Sequence, residues 1–359
     1  MTGLLSGAIG GNRALLIGWF LPTAINILLF GIVVDPRLSG FAALTTTAAA
    51  IHSILYLLAG TLVVGLMLAA LQTSLYRILE GYLAWPRPLA AAATRRHRAR
   101  KHLLRDRLLA ANLASAQDSG GLNDEERAIL QRYRDHPVTG HHIATDVRRG
   151  PIGLAILEER LHRYPHADDQ IAPTRLGNAI RRLEEYGYDR FRLDTQILWH
   201  QLTTVVPEQA RTQVDDARTG VDFFVCLLYG HLLVVAVALA EAASSPARPR
   251  SLLLGVAGGL LVAAAVWYRT AVVATDEWTG AVHALVNLGR EPLAQALGLS
   301  LPDSLEAERD MWSLVGRLTA QPNAAETAAL DRYRANANPT APPQLHARRT
   351  IKHPSAPRN

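Results

Sequence analysis

Long stretches of this chain carry almost no charge, and that restricts its fold more than any other feature. Residues 14–34 (ALLIGWFLPTAINILLFGIVV) and 54–76 (ILYLLAGTLVVGLMLAALQTSLY) contain no charged side chain at all. Two further apolar runs, 221–240 and 252–268, are joined by the short link AEAASSPARPRS. The whole-chain averages, 49% hydrophobic residues and a mean hydropathy of +0.08, resemble those of a soluble protein because they mix two unlike populations. Crossing about 30 Å of hydrocarbon at about 1.5 Å per residue takes roughly 20 apolar residues, so the pattern predicts four transmembrane helices. The fourth run continues through TAVVAT beyond Arg269, whose long side chain can snorkel to the interface. The first run is longer than the roughly 7 to 15 residues of a signal-peptide core and lacks a prompt A-x-A site, which favours an anchor.

Orientation follows from the basic residues. Of the 37 Lys and Arg, 23 lie between Arg77 and Arg218 and ten lie beyond Tyr268. The link between the first two runs holds only Arg37, and that between the last two holds Arg248 and Arg250. An even number of crossings between the basic regions then places both termini and the long central segment in the cytoplasm of a bacterial inner membrane. The expected layout is an N-terminus (1–13), first span (14–34), external loop (35–53), second span (54–76), helical cytoplasmic domain (77–218), third span (221–240), short external loop (241–251), fourth span (252–274), cytoplasmic helical extension (275–337) and disordered tail (338–359).

Cys226 is the only cysteine, which excludes intrachain disulfides and Cys-based metal sites. Basic residues are 35 Arg against two Lys, Lys101 and Lys352, a ratio that, with the abundant Ala, reads as the coding bias of a GC-rich bacterium.

Strand-like alternation is nearly absent, so the fold class is all-α. LYRILEGYLAWP extends the second span as a helix predicted to stop at Pro86. Residues 94–116 have Leu103, Leu104, Leu108, Leu109 and Leu113 at helical spacing. After the break at SGG, Asn123 or Asp124 can cap EERAILQRYR, and GPIGLAILEERLHRYP gives a further helix ended by Pro165. Thr174 is placed as an N-cap for a stripe of Leu176, Ala179, Ile180, Leu183 and Tyr186, with Gly187 as its C-terminal break. Asp194 can cap a helix carrying Ile197, Leu198 and Leu202. No proline interrupts 208–243, so one helix of about 55 Å should run from the domain through the third span. The fourth span should continue towards Pro292, followed by short helices near 305–318 and 324–334.

Candidate chemistry is sparse. TRRHRARKHLLRDR, residues 94–107, holds seven Lys or Arg and one acid. Beside a membrane exit, Arg95, Arg96, Arg98, Arg100 and Lys101 can meet anionic lipid headgroups at about 1 kcal/mol per residue. The aromatic interleaving of single-strand nucleic-acid contacts is missing, so no nucleic-acid partner is expected. HRYPHADD offers His162, His166, Asp168 and Asp169, but Pro165 breaks the helix that an H-x3-H metal site needs. HPVTGHH (His136, His141, His142) is read as loop in the same way. No phosphate loop, nucleophile elbow, dinucleotide fingerprint or kinase motif occurs, and no cofactor is implied. Asp222 and His231 are polar groups within the third span, where such groups are costly; they suit an inter-helix hydrogen bond better than a conduction path.

LYRILEGY at 75–82 and PTRLGNAIRRLEEYGYDRFRLDTQILW at 173–199 resemble a group of multi-spanning bacterial membrane proteins, often actinobacterial, with no assigned activity. In that group a Leu-Asp element and a Trp follow the turn, as Leu193-Asp194 and Trp199 do here; His200-Gln201 stands where it often has Pro-Arg. The resemblance implies a membrane location and no catalytic role. Read physically, the motif is a docking element: Gly177 permits close helix approach, Asn178 satisfies backbone groups, and Arg175 needs a carboxylate partner, for which Glu80 is the candidate. The expected function is a scaffold or signalling component that binds a cytoplasmic protein partner or a second copy of itself. The alternative is an oligomeric channel or transporter lined by the third span.

Overall fold

A computed structural model of the chain describes residues 14–34, 47–244, 249–321 and 325–334. Among these residues all regular structure is helical and no strand forms. A π-helical turn, Leu16–Phe20, leads into α1 (Leu21–Val34), followed by α2 (Thr47–Ala70) and α3 (Gln72–Glu80). Next come α4 (Arg87–Asp118), α5 (Asp124–Asp135), α6 (Pro137–Arg148), α7 (Gly150–His162), α8 (Arg175–Glu184), α9 (Tyr186–Phe191) and α10 (Trp199–Val205). The chain then forms α11 (Glu208–Ser244), α12 (Arg250–Ala296), α13 (Leu305–Ala320) and a 3-10 helix, Ala325–Tyr333. The predicted tail and N-terminus lie outside the described residues, as does most of the first external loop.

The hairpin of α11 and α12 is the frame. At about 1.5 Å per residue these helices reach about 55 and 70 Å, and both are long and apolar enough to cross a membrane. Val234, Val235, Ala238 and Ala242 of α11 close on Leu253 and Ala257 of α12 at one end. The opposite faces of this end stay bare: Leu233, Leu254, Leu261 and Val262 are exposed. α1 packs on α11, and α2 packs on α1. The first helix is continuous and uncharged from the π-helical turn at Leu16 to Val34, about 28 Å at about 1.5 Å per residue. α2 and α3 meet at a bend of 58° at Leu71, and as a bent pair they are long and apolar enough to form one broken span.

At the other end, Leu202, Leu285, Leu293, Met311 and Trp312 are fully buried in the largest core, to which every helix from α8 to α13 contributes. A side lobe is threaded on α4, with α5, α6 and α7 packed along it. Its core includes Ala110, Leu130 and Ile143. Asn123 caps α5 with a full capping box: its side chain accepts from the Glu126 amide, and Glu126 accepts from the Asn123 amide. Inside the lobe, Arg107 of α4 donates to both carboxylate oxygens of Asp146 on α6, at 2.9 and 2.7 Å.

Several predicted boundaries move. The helix expected to reach Pro86 ends at Gly81, whose φ of +92° lets the Tyr82 amide return to the Arg77 carbonyl; Pro86 instead precedes α4. Gly187 lies inside α9, and the chain turns at Arg192 with φ +61°. Gly187 is required by packing, since a Cβ there would sit 2.8 Å from the Leu193 carbonyl oxygen. Pro292 does not end α12, which runs on to Ala296; full burial of Leu293 and Ala294 in the core offsets the lost backbone bond. HPVTGHH is not loop: His136 caps α6 by accepting from the Thr139 amide, and His141 and His142 ride on that helix.

Candidate functional site

The conspicuous stretch at 173–178 fastens the polar half of the protein to the helices that leave the apolar half. Thr174 is extended and its hydroxyl has two partners. It accepts from the Gly177 amide at 2.9 Å, capping α8, and donates to the Leu79 carbonyl at 2.5 Å, at the end of α3. Asn178 closes the loop on itself. It accepts from the Ala172 amide at 3.0 Å and donates to the Ala172 and Thr174 carbonyls. Gly177 lies against α3, where a Cβ would stand 2.6 Å from the Glu80 carbonyl oxygen. Gly81 faces Pro173 in the same way. The apolar stripe then buries Leu176 and Ile180 among Tyr76, Val221, Val225, Ala271 and Val272, so α8 touches α3, α11 and α12 together.

Arg175 and Glu80 do not pair. Glu80 is half-buried between Arg181 and Arg77, and burial raises its carboxyl above the usual range against their pull. Arg175 is exposed on the far side of α8, facing α4 and α7. Asp194 accepts from the Gln196 and Ile197 amides at 3.1 Å each and organises the approach to α10. Trp199 packs on the core of α12 and α13, not on the 173–178 loop. The motif residues thus serve two separate neighbourhoods.

A second constellation runs along α11. Asp222 is buried and accepts from the Tyr76 hydroxyl at 2.7 Å and from Gln72 Nε2 at 3.0 and 3.1 Å. One turn further, the Cys226 thiol lies 3.4 Å from the Thr23 hydroxyl, and Asn26 Nδ2 donates to the Cys226 carbonyl at 3.3 Å. Asn26 Oδ1 is 2.8 Å from His231 Nδ1, while Trp267 Nε1 donates to His231 Nε2 at 3.3 Å. An indole N–H can only donate, so Nε2 accepts and the proton sits on Nδ1, donated to Asn26. Gly230 makes the contact close, because any Cβ there would collide with the Asn26 amide. Asp222 and His231, singled out from sequence, are joined by this row. Thr23, Asn26, Gln72, Tyr76 and Trp267 were not singled out, since an uncharged polar residue barely disturbs an apolar run.

Beside the Tyr76–Asp222 pair a cavity of about 620 Å3 opens among Arg77, Glu80, Arg181, Glu184, Arg218 and Trp278. Burial first, and the nearby Glu80 charge second, push the Glu184 carboxyl up to about 7. Glu185 is likewise raised to about 7 by burial and by Asp189.

The basic stretch of α4 divides its tasks. Lys101 reaches the Asp168 carboxylate at 2.6 Å and the His166 carbonyl at 2.7 Å, and Arg98 donates to the Asp168 carbonyl at 3.0 Å. These contacts, with His102 on the second Asp168 oxygen, strap the 163–169 segment to α4. Arg95, Arg96 and Arg100 stay exposed. His162 and His166 are also exposed, and among the described residues no three His, Cys, Asp or Glu side chains converge as metal ligands. No protein-family model, curated protein or solved structure matches the chain.

Proposed function

We propose that the chain is a multi-pass inner-membrane protein that acts as a scaffold or signalling component, presenting its helical domain, 77–218, in the cytoplasm. On this reading residues 14–34, 54–76, 221–240 and 252–274 cross the bilayer, and both termini are cytoplasmic. The single observation that carries the scaffold role is the fastening of 173–178 to the end of α3, with α11 and α12 passing unbroken into the same core. A domain joined at three places is held in one pose relative to the membrane, which is what presentation of a docking surface to a protein partner requires. The exposed apolar faces, such as Leu58, Val63 and Met67 of α2 and Val262 and Val266 of α12, suit contact with lipid.

The channel alternative has less support. The polar face of α11 is consumed within one chain by α1, α3 and α12, leaving residues such as Leu232, Leu233 and Leu239 on its outer side. A ring of such helices would present leucine, not Asp222 or His231, to a shared pore.

Reporter fusions test the topology: insertion after Gly121 or fusion at Asn359 should score as cytoplasmic and insertion near Ser245 as external. An external score at Gly121 would overturn the layout. For the role, the protein is purified in detergent, weighed by native mass spectrometry and reconstituted for ion-flux measurement. A monomer or dimer without flux is the expected result, and a closed ring whose flux changes in Asn26→Leu would establish the channel instead.

A further inference from the structure

Where α4, α7, α8 and α12 meet, five arginines surround a cavity of about 280 Å3. Arg100 comes from α4, Arg160 from α7, Arg163 from the residue after it, Arg175 from the first turn of α8 and Arg269 from α12. The wall contains Tyr164 and no carboxylate. Arg163 is already held by Asp276 and Glu159. Among the described residues, Arg100, Arg160, Arg175 and Arg269 make no hydrogen bond and no ion pair. An adjoining cavity of about 270 Å3 shares Arg100 and Arg175 and adds Arg96.

Cations gathered without a counter-charge repel one another, and here only Arg163 has carboxylates, Asp276 and Glu159, to offset the repulsion. Arg175 adds to it by standing at the positive end of the α8 dipole, the unfavourable end for a cation. The field is felt by His97 on α4, whose imidazole is held down to about 4 by burial first and then by Arg100, Arg175 and Arg96. Planar guanidinium groups converging on one small cavity match the oxygens of a tetrahedral oxyanion, each able to bind two of them. At the rim, Val273 is exposed and continues the bare apolar strip of Val266 and Val262 on α12. A ligand seated there would have its charge among the arginines and an apolar surface leading away from it.

We propose that this cavity binds a phosphate-bearing anion, and its apolar rim fits the phosphate of an anionic phospholipid better than free phosphate. The lipid source rests on the membrane reading given above, whereas binding of a soluble phosphate would not. Lysine-poor and arginine-rich as the chain is, the composition alone does not produce this arrangement: four separate elements must bring unpaired arginines to one point.

The test uses purified full-length protein in neutral detergent at fixed ionic strength. It is titrated separately with short-chain phosphatidylglycerol, short-chain phosphatidylcholine, inorganic phosphate and pyrophosphate. The expected result is saturable binding of phosphatidylglycerol and none of phosphatidylcholine, weakened about tenfold for each guanidinium removed in Arg160→Gln and Arg175→Gln. The pair Arg132→Gln and Arg148→Gln, exposed arginines away from the cavity, should bind as the parent does. Saturable pyrophosphate or phosphate binding with the same arginine dependence would support the site and assign it to a soluble phosphate. Absence of all anion binding, or equal weakening by the Arg132 and Arg148 pair, would overturn the proposal. Should either variant fail to fold, Arg269→Gln, at an exposed position, gives the same readout. A failure of the topology reporters would reject the lipid source on separate grounds.

Discussion

The Tyr76 hydroxyl donates to Asp222 over 2.7 Å, tying α3 to α11 across 146 residues of sequence. Gln72 on the same face of α3 donates to both oxygens of that carboxylate, and the Trp19 side chain adds a further hydrogen bond. A buried carboxylate that loses a donor is left partly unsatisfied, so Tyr76→Phe should destabilise the protein by about 1–3 kcal/mol. Combining it with Gln72→Leu should cost less than the two losses added if both act on Asp222 alone. Thermal melts in detergent read this, and an unchanged melting temperature for Tyr76→Phe would show the bond to be dispensable.

The Arg107–Asp146 pair makes a stronger claim on the side lobe. The Asp146 side chain is 2% exposed and that of Arg107 14%. Asp146→Ala strands a buried guanidinium and should cost about 3–5 kcal/mol, concentrated in α4 to α6. Hydrogen exchange should show those helices losing protection while α11 and α12 keep theirs. Uniform loss across the protein would mean that the lobe does not unfold separately.

Glycine substitutions separate fastening from flexibility. Gly177→Ala drives a methyl group against the Glu80 carbonyl oxygen and should cost about 1–3 kcal/mol. Gly316→Ala, in α13 with open space around it, should stabilise by up to about 1 kcal/mol through helix propensity alone. Melting temperatures of both variants against the parent decide this, and equal behaviour would mean that Gly177 is not a contact point.

The raised carboxyl of Glu184 gives the protein a pH dependence of defined sign. Its pKa is about 7 in the folded protein against 4.5 for a free side chain. A group raised on folding contributes stability that is complete below about pH 4.5 and is lost as pH rises through about 7. The parent should therefore melt at a lower temperature at pH 8 than at pH 5. Glu184→Gln should gain on the parent between those values and match it near pH 4.5. Glu185, raised for similar reasons, keeps part of the slope in the single variant. A constant difference across pH would rule out a titrating Glu184.

What could be read from the residues depended on how far each interaction reaches. The Thr174 cap and the turn around Asn178 were legible, because their partners lie within six positions. The apolar runs announced the α11–α12 hairpin, but nothing in an uninterrupted run such as 54–76 foretells a bend at Leu71. Arg175 was rightly judged to be poorly placed for the dipole, yet charge alone does not say which way a side chain faces. From the first turn of α8 it turns towards α4 and α7, leaving Glu80 to Arg181 and Arg77. The row through Asn26, His231 and Trp267 needed three helices to meet, and only its histidine was conspicuous beforehand.

The bend at Leu71 has a mechanical consequence. α11 and α12 enter the lower core as unbroken rods, so a tilt imposed at their far ends is delivered to Leu285 and Trp312 as leverage. α2 has no such purchase: it meets α3 at an angle of 58°, and α3 is held by Thr174 and Asp222. A change in the inclination of α2 is spent at the elbow. On this geometry, forces arriving through α11 and α12 should reach the core more directly than forces arriving through α2.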